Sequence, residues 1–243
     1  MRVAAADLEE ALARMLDAFP AGVTEELDGD EVELAGYLPA GRTPSVDAIP
    51  EPVEPGWREA WRAFHLPVVV GPFWIGPPWT LPDPGSDAIV IEPGLAFGTG
   101  AHGSTRAALE LLVRDPEPRG PLLDIGCGSG VLAIAAARLG HAPVSALDRD
   151  PHAVRATGVN ARDNGVVVTA WEADALSDDL PDAPLQLANL QLELLAPLFT
   201  RGVLGRRVIV SGLLEAERFA PAGYACRDRA TADGWQALLL ERG

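Results

Sequence analysis

The chain has 243 residues, 48% hydrophobic and 22% charged, which suits one large folded domain with or without a small appendage. Its longest apolar runs, such as residues 131–137, fall far short of a membrane span, and the N-terminus turns acidic where a secretory signal would carry its apolar core. A net charge of −16 argues against a protein that grips nucleic acid through phosphates and suits encounter with a basic partner. All 19 basic residues are Arg, which reads as compositional bias. Two cysteines, Cys127 and Cys226, show neither disulfide-framework nor metal-ligand spacing, so a reducing cytoplasm is the expectation.

Leu8, Leu12, Met15, Leu16 and Phe19 recur at three- and four-residue spacing, predicting an amphipathic helix over 5–19. Two short strands around Asp28-Gly29 follow, then a proline-rich loop. Together they predict a small α/β domain over 1–55. Residues 57–65 place Trp57, Trp61 and His65 on one helical face. Residues 70–85 contain five prolines and read as a stiff connector crossing the surface, so 56–88 is expected to be a linker. Its tryptophans, Trp74 and Trp79 included, would staple the linker to the body or offer an aromatic surface to a partner.

From residue 88 strands alternate with helices. Strands are predicted in 88–93, 121–126, 142–150, 166–174, 185–190 and 206–214. Helices are predicted in 104–115, 130–140, 150–165, 192–202 and, briefly, 216–223. Two last strands turn about Asp233-Gly234. The alternation implies a doubly wound, mostly parallel sheet over 89–243 that ends in an antiparallel hairpin.

Such sheets bind ligands beyond the carboxyl ends of their strands. Gly126, Gly128 and Gly130 in "LLDIGCGSG" stand at one such end and allow close backbone approach. A dinucleotide fingerprint needs G-x-G-x-x-G, but residue 131 is Val, which weakens a hydride-transfer reading. Asp148 ends the next strand, 22 residues after Gly126, where a carboxylate accepts from both ribose hydroxyls. Asp174 ends the third strand; it would accept from an adenine amine or cap a helix. Asp124 would accept from a ligand ammonium or from glycine-loop amides. Cys127 reads as a packing residue, and His102 as a loop-positioning residue with a proton-accepting role as the lesser alternative. The inferred ligand is a nucleoside without pyrophosphate.

"LLDIGCGSGVLAIAAARLG" followed by "ALDRDPHAV" resembles the class I S-adenosylmethionine-dependent methyltransferases. "WIGPPWTLPDPGSDAIVIEPGLAFGTGAHGST" and "ANLQLELLAPL" are similar to one branch, the PrmA-type ribosomal protein L11 methyltransferases. The likeness covers residues 57–243 and is densest over 72–150. It implies a Rossmann-like seven-stranded sheet and a ferredoxin-like N-terminal substrate-recognition domain. That domain looks trimmed here, since no second helix is legible in the first 55 residues. The resemblance implies transfer of methyl groups from S-adenosylmethionine to lysine side-chain and N-terminal amines of the basic ribosomal protein L11. It implies cofactor contacts from Thr105, Gly126, Asp148 and Asn189, with Phe97, Gly98, Thr99 and Gly100 folding over the cofactor and Gly128, Asp124 and Asp174 beside it. Asn189 is the expected catalytic residue, a neutral acceptor for the amine.

No metal, nucleic acid or membrane partner is expected, and a monomer is. Two departures stand out. Ala101 replaces a family Thr, and Leu192 stands where the family has Ala and would narrow the pocket. The alternatives are methylation of another protein or of a small-molecule amine, and a non-catalytic binding protein on this fold. A base methyltransferase is disfavoured because Leu190 follows Asn189 where an aromatic clamp would stand.

Overall fold

The computed structural model describes residues 2–4, 11, 15, 23–28, 31–36, 65–82, 85–93 and 98–243. The predicted loop over 39–56, Trp57, Trp61 and Phe97 lie outside them. The chain divides into two compact units, residues 1–57 and 58–243.

In the first unit, β2 (Val23–Asp28) and β3 (Glu31–Gly36) pair antiparallel, the two strands the sequence predicts, but with Asp28 opposite Glu31, so that Asp28 ends β2 instead of standing in the turn. The sequence reading missed β1 (Arg2–Ala4), which pairs antiparallel with β3 and makes the sheet order β1-β3-β2. Of the helix predicted over 5–19, Ala11 and Met15 are described; both are helical and buried, and Val32 and Leu34 of strand β3 are buried too.

In the second unit, residues 73–77 do not cross the surface as a connector but are buried, whereas Pro78, Leu81 and Pro82 beyond them are exposed. β4 (Val68–Val70) and β5 (Phe73–Gly76) form an antiparallel hairpin, and β6 (Asp87–Val90) adds to β5 in parallel. Phe73, Trp74 and Ile75 are almost fully buried, because a short apolar run between prolines packs well as a strand wherever the prolines fall in its turns.

Next come α1 (Gly103–Arg114), β7 (Leu122–Ile125), α2 (Val131–Arg138), β8 (Val144–Asp148), α3 (Pro151–Asp163), β9 (Thr169–Glu172), β10 (Leu185–Asn189), α4 (Leu192–Thr200) and β11 (Arg207–Leu214). The hairpin β12 (Tyr224–Ala232) and β13 (Trp235–Arg242) ends the chain. The sheet order is β12-β13-β11-β10-β7-β8-β9. All neighbours run parallel except β13, which is antiparallel to β11 and to β12. The chain winds outward from β7 through β8 to β9, then returns to place β10 on the other side of β7. That reversal is the topological switch point.

Strand residues alternate between two apolar layers. Leu122, Leu187, Ile209 and Leu239 face the core that includes α1, α2 and β4–β6, while Leu123, Ile125, Val208, Val210, Leu238 and Leu240 face the core of α4. Burying each such side chain contributes about 2 kcal/mol. Asp124 shares the parity of Leu122 and therefore points into the first layer. α3 starts as its sequence dictates, with Asp150 capping His152 N at 2.8 Å and Pro151 in the first turn.

The helix predicted at 216–223 does not form. The side-chain amide of Gln236 donates to the carbonyls of Leu214 (2.7 Å), Glu215 (3.4 Å) and Glu217 (2.6 Å), and Glu217 accepts from Leu214 N (2.6 Å). These bonds take the groups a first helical turn would need. No helix among the described residues is long and apolar enough to cross a membrane.

Candidate active site

At the switch point the carboxyl ends of β7, β8 and β10 border a cavity of about 220 Å³. Its lining includes Gly98, Thr105, Gly126, Gly128, Asp148, Asp174 and Asn189, so seven of the eleven expected cofactor residues meet there. Thr99, Gly100 and Asp124 do not line it; Gly100 packs on Ile75 instead.

The glycine turn is built to come close. Gly126 has φ 75°, and a Cβ on it would stand 2.5 Å from Leu190 Cδ2. Gly126 N (2.8 Å) and Cys127 N (3.0 Å) both donate to Leu147 O, which locks the turn to β8. Asp148 ends β8 half-buried. Its Oδ2 accepts from Gly128 N at 3.0 Å and its Oδ1 from Asp150 N at 2.9 Å.

Across the cavity, Asn189 Nδ2 donates to Thr105 Oγ1 at 3.2 Å. Thr105 sits in the first turn of α1 and is buried; Asn189 ends β10. The amide Oδ1 of Asn189 is left as a neutral acceptor at the cavity wall. His102 is the N-cap of α1: its Nδ1 accepts from Ser104 N at 3.3 Å and lies 2.8 Å from Ser104 Oγ. Its ring packs on Trp235, centroids 4.6 Å apart. This is a positioning role.

Asp174 caps no helix, since a turn follows it. It lines the cavity, and its Oδ1 accepts from Leu176 N at 2.8 Å to close a turn. Arg201 secures that turn from beyond α4, donating to the carbonyls of Ala175 (2.5 Å), Ser177 (3.2 Å) and Asp178 (3.0 Å). Nothing local in the sequence marks Arg201, because its partners lie more than twenty residues away. Leu192 does not line the cavity and so does not narrow it; Leu190 just before α4, and Leu194 and Leu198 one helical turn apart on it, supply that wall.

Asp124 lies beneath the turn, 1% exposed, with neither carboxylate oxygen hydrogen-bonded. Burial pushes its pKa up to about 7; the Ala133 amide opposes this and the nearby Asp148 charge adds to it. Cys127 is inert. Burial, then the Asp124 charge, pushes its thiol up to about 12, far from a reactive thiolate.

The family described as ribosomal protein L11 methyltransferase (PrmA) matches residues 20–242. The chain belongs to the ribosomal protein L11 methyltransferase family. It is 36% identical to the ribosomal protein L11 methyltransferase of Thermus thermophilus, over 96% of both chains. It is 40% identical to that of Dechloromonas aromatica over 68% of this chain and 57% of the relative. The crystal structure of ribosomal protein L11 methylase from Lactobacillus delbrueckii subsp. bulgaricus superposes with a TM-score of 0.63. It is 29% identical and covers 70% of this chain and 95% of its own. In this L11 methyltransferase family member the main sheet has the seven strands that the class I resemblance implied.

Proposed function

We propose that this chain methylates lysine side-chain and N-terminal amines of ribosomal protein L11, with S-adenosylmethionine as donor. The observation that carries the reading is the convergence on one cavity of the glycine turn, the Asp148 carboxylate and the Thr105–Asn189 pair.

The residues present fit that donor. Asp148 offers a carboxylate for ribose hydroxyls. Asp124 supplies a buried carboxylate that lacks hydrogen-bond partners, the chemistry an ammonium group satisfies. The tight turn at Gly126 leaves no room for a side chain, as close ligand approach requires. When bound, the sulfonium supplies an electrophilic methyl group.

The protein's own task is to present a neutral amine in line with that methyl group. Deprotonating a free lysine at pH 7 costs about 4–5 kcal/mol, and a carboxylate in contact with the amine would raise that cost. Asn189 avoids the difficulty. Its Oδ1 accepts from the amine without adding charge, while its Nδ2 is held by Thr105.

Acidity acts at longer range: the net charge of −16 draws in a basic substrate. The same reading makes the first unit, residues 1–57, the substrate-recognition part, and makes the protein a cytoplasmic monomer that contacts neither nucleic acid nor membrane directly.

The test is incubation with labelled S-adenosylmethionine and ribosomal protein L11, followed by mass analysis. Methylated lysine and N-terminal peptides are the expected result. Cofactor binding without label transfer to L11 would overturn the substrate assignment.

A further inference from the structure

Two side chains of α3 that line no part of the cavity hold the backbone that does. Thr157 Oγ1 lies 3.1 Å from Gly128 O and 3.2 Å from Cys127 Sγ. Asn160 Nδ2 donates to Ser129 O at 2.8 Å. Thr157 is 0% exposed and Asn160 3%. Gly128 is therefore gripped at both ends, its N–H by Asp148 and its C=O by Thr157. A Cβ on Gly130 would stand 2.9 Å from Thr157, so helix and turn are in direct contact.

The same helix reaches beyond the turn. Asn160 Oδ1 accepts from Glu92 N at 3.4 Å, and Asn164 exchanges two bonds with the backbone of Val90, at 2.8 and 2.6 Å. Ser129 Oγ donates to Gly98 O. A glycine-rich turn loses more backbone entropy on ordering than other segments, and its buried carbonyls cost free energy when unpaired. Fixed donors on a rigid helix meet both costs before a ligand arrives.

We propose that Thr157 and Asn160 are positioning residues that set cofactor affinity through the carbonyls of Gly128 and Ser129, without acting in methyl transfer. The inference rests on the reading of the cavity as an S-adenosylmethionine site.

The test compares Thr157→Val, which keeps the side-chain shape and removes the donor, with Thr157→Ser, which restores it. Calorimetry with S-adenosylhomocysteine should show binding about 10-fold weaker for Thr157→Val, the loss of one buried hydrogen bond. KM for S-adenosylmethionine should rise by the same factor, kcat at saturation should stay within about 2-fold, and Thr157→Ser should recover wild-type affinity. Asn160→Ala should behave like Thr157→Val; if it does not fold, the Thr157 pair decides. Asn164→Ala breaks the Val90 bonds and leaves the turn's carbonyls paired, so it should lower Tm with unchanged affinity.

A folded Thr157→Val protein with wild-type affinity, or one that loses kcat at unchanged KM, overturns the inference alone. Failure of Thr157→Ser to restore binding does the same. A wild-type protein that does not bind S-adenosylhomocysteine overturns the cofactor reading and this inference together.

Discussion

Gly126 and Gly103 both leave no space for a side chain, but the neighbours that exclude it differ. At Gly126 an added Cβ would meet Leu190, whose side chain helps wall the cavity. At Gly103 it would overlap the carbonyl oxygen of Ala232 and stand 2.8 Å from Trp235 Cδ1, both in the C-terminal hairpin. Gly100, in the same stretch as Gly103, is closed off by Ile75. Residues 122–130 thus use small size to bring backbone to the cavity wall, and residues 98–105 use it mostly to seat α1 against the rest of the unit. Glycine content alone does not distinguish the two, since each needs close backbone approach.

The largest effect expected in this comparison concerns Asp124 in the second stretch. Its folded pKa of about 7 lies above the unfolded value, so the folded state holds the extra proton between roughly pH 4 and 7. Stability of the cofactor-free protein should fall as pH rises through that window and level off above it. Asp124→Asn should flatten the slope and gain up to about 4 kcal/mol at pH 8, read by urea unfolding, while weakening cofactor binding. An unchanged pH profile would show that the carboxylate is solvated.

Next comes Asn189→Ala, which should lower kcat about 100-fold with cofactor affinity within about 3-fold, in steady-state and binding assays. Near-normal turnover would remove Asn189 from the chemistry.

The two glycines separate more finely. Gly126→Ala forces a side chain onto a φ of 75° and should abolish detectable cofactor binding at a cost of about 1–2 kcal/mol in stability. Gly103→Ala should cost about 2–3 kcal/mol by displacing the hairpin, while weakening cofactor affinity less than Gly126→Ala does. Calorimetry beside thermal unfolding checks the pair, and equal loss of affinity in both would collapse the distinction.

The smallest effect belongs to Arg106 and Asp233, which link α1 to the hairpin turn at 3.1 Å with Asp233 64% exposed. Asp233→Asn should change stability by less than about 0.5 kcal/mol in 0.15 M salt. A larger loss would make the hairpin contact electrostatic rather than steric.

Much of the site was legible before the fold was seen. Gly126, Gly128 and Asp148 each stand at a strand end that periodicity locates, and strand ends are where a doubly wound sheet gathers its ligand groups; Asn189 was marked by the family resemblance. Their meeting in one cavity follows from the alternation of strands and helices. Thr157, Asn160 and Arg201 were not legible. Each acts on backbone groups more than twenty residues away, and a buried Thr or Asn on a helix looks like any other polar residue until its partner is known.

By itself the sequence determined the order along the chain of the strands in the seven-stranded sheet, the Asp233-Gly234 turn of the hairpin and the strand ends at Gly126 and Asp148, because these depend on local periodicity and spacing, while Thr105 and Asn189 were marked by the family resemblance. Only the tertiary structure decided that residues 73–76 are a buried strand, that 216–223 is held out of helix by Gln236, and that Asp124 lies unpaired under the glycine turn. Those outcomes depend on which distant groups arrive to pair a carbonyl or shut out water, and local propensity carries no record of them.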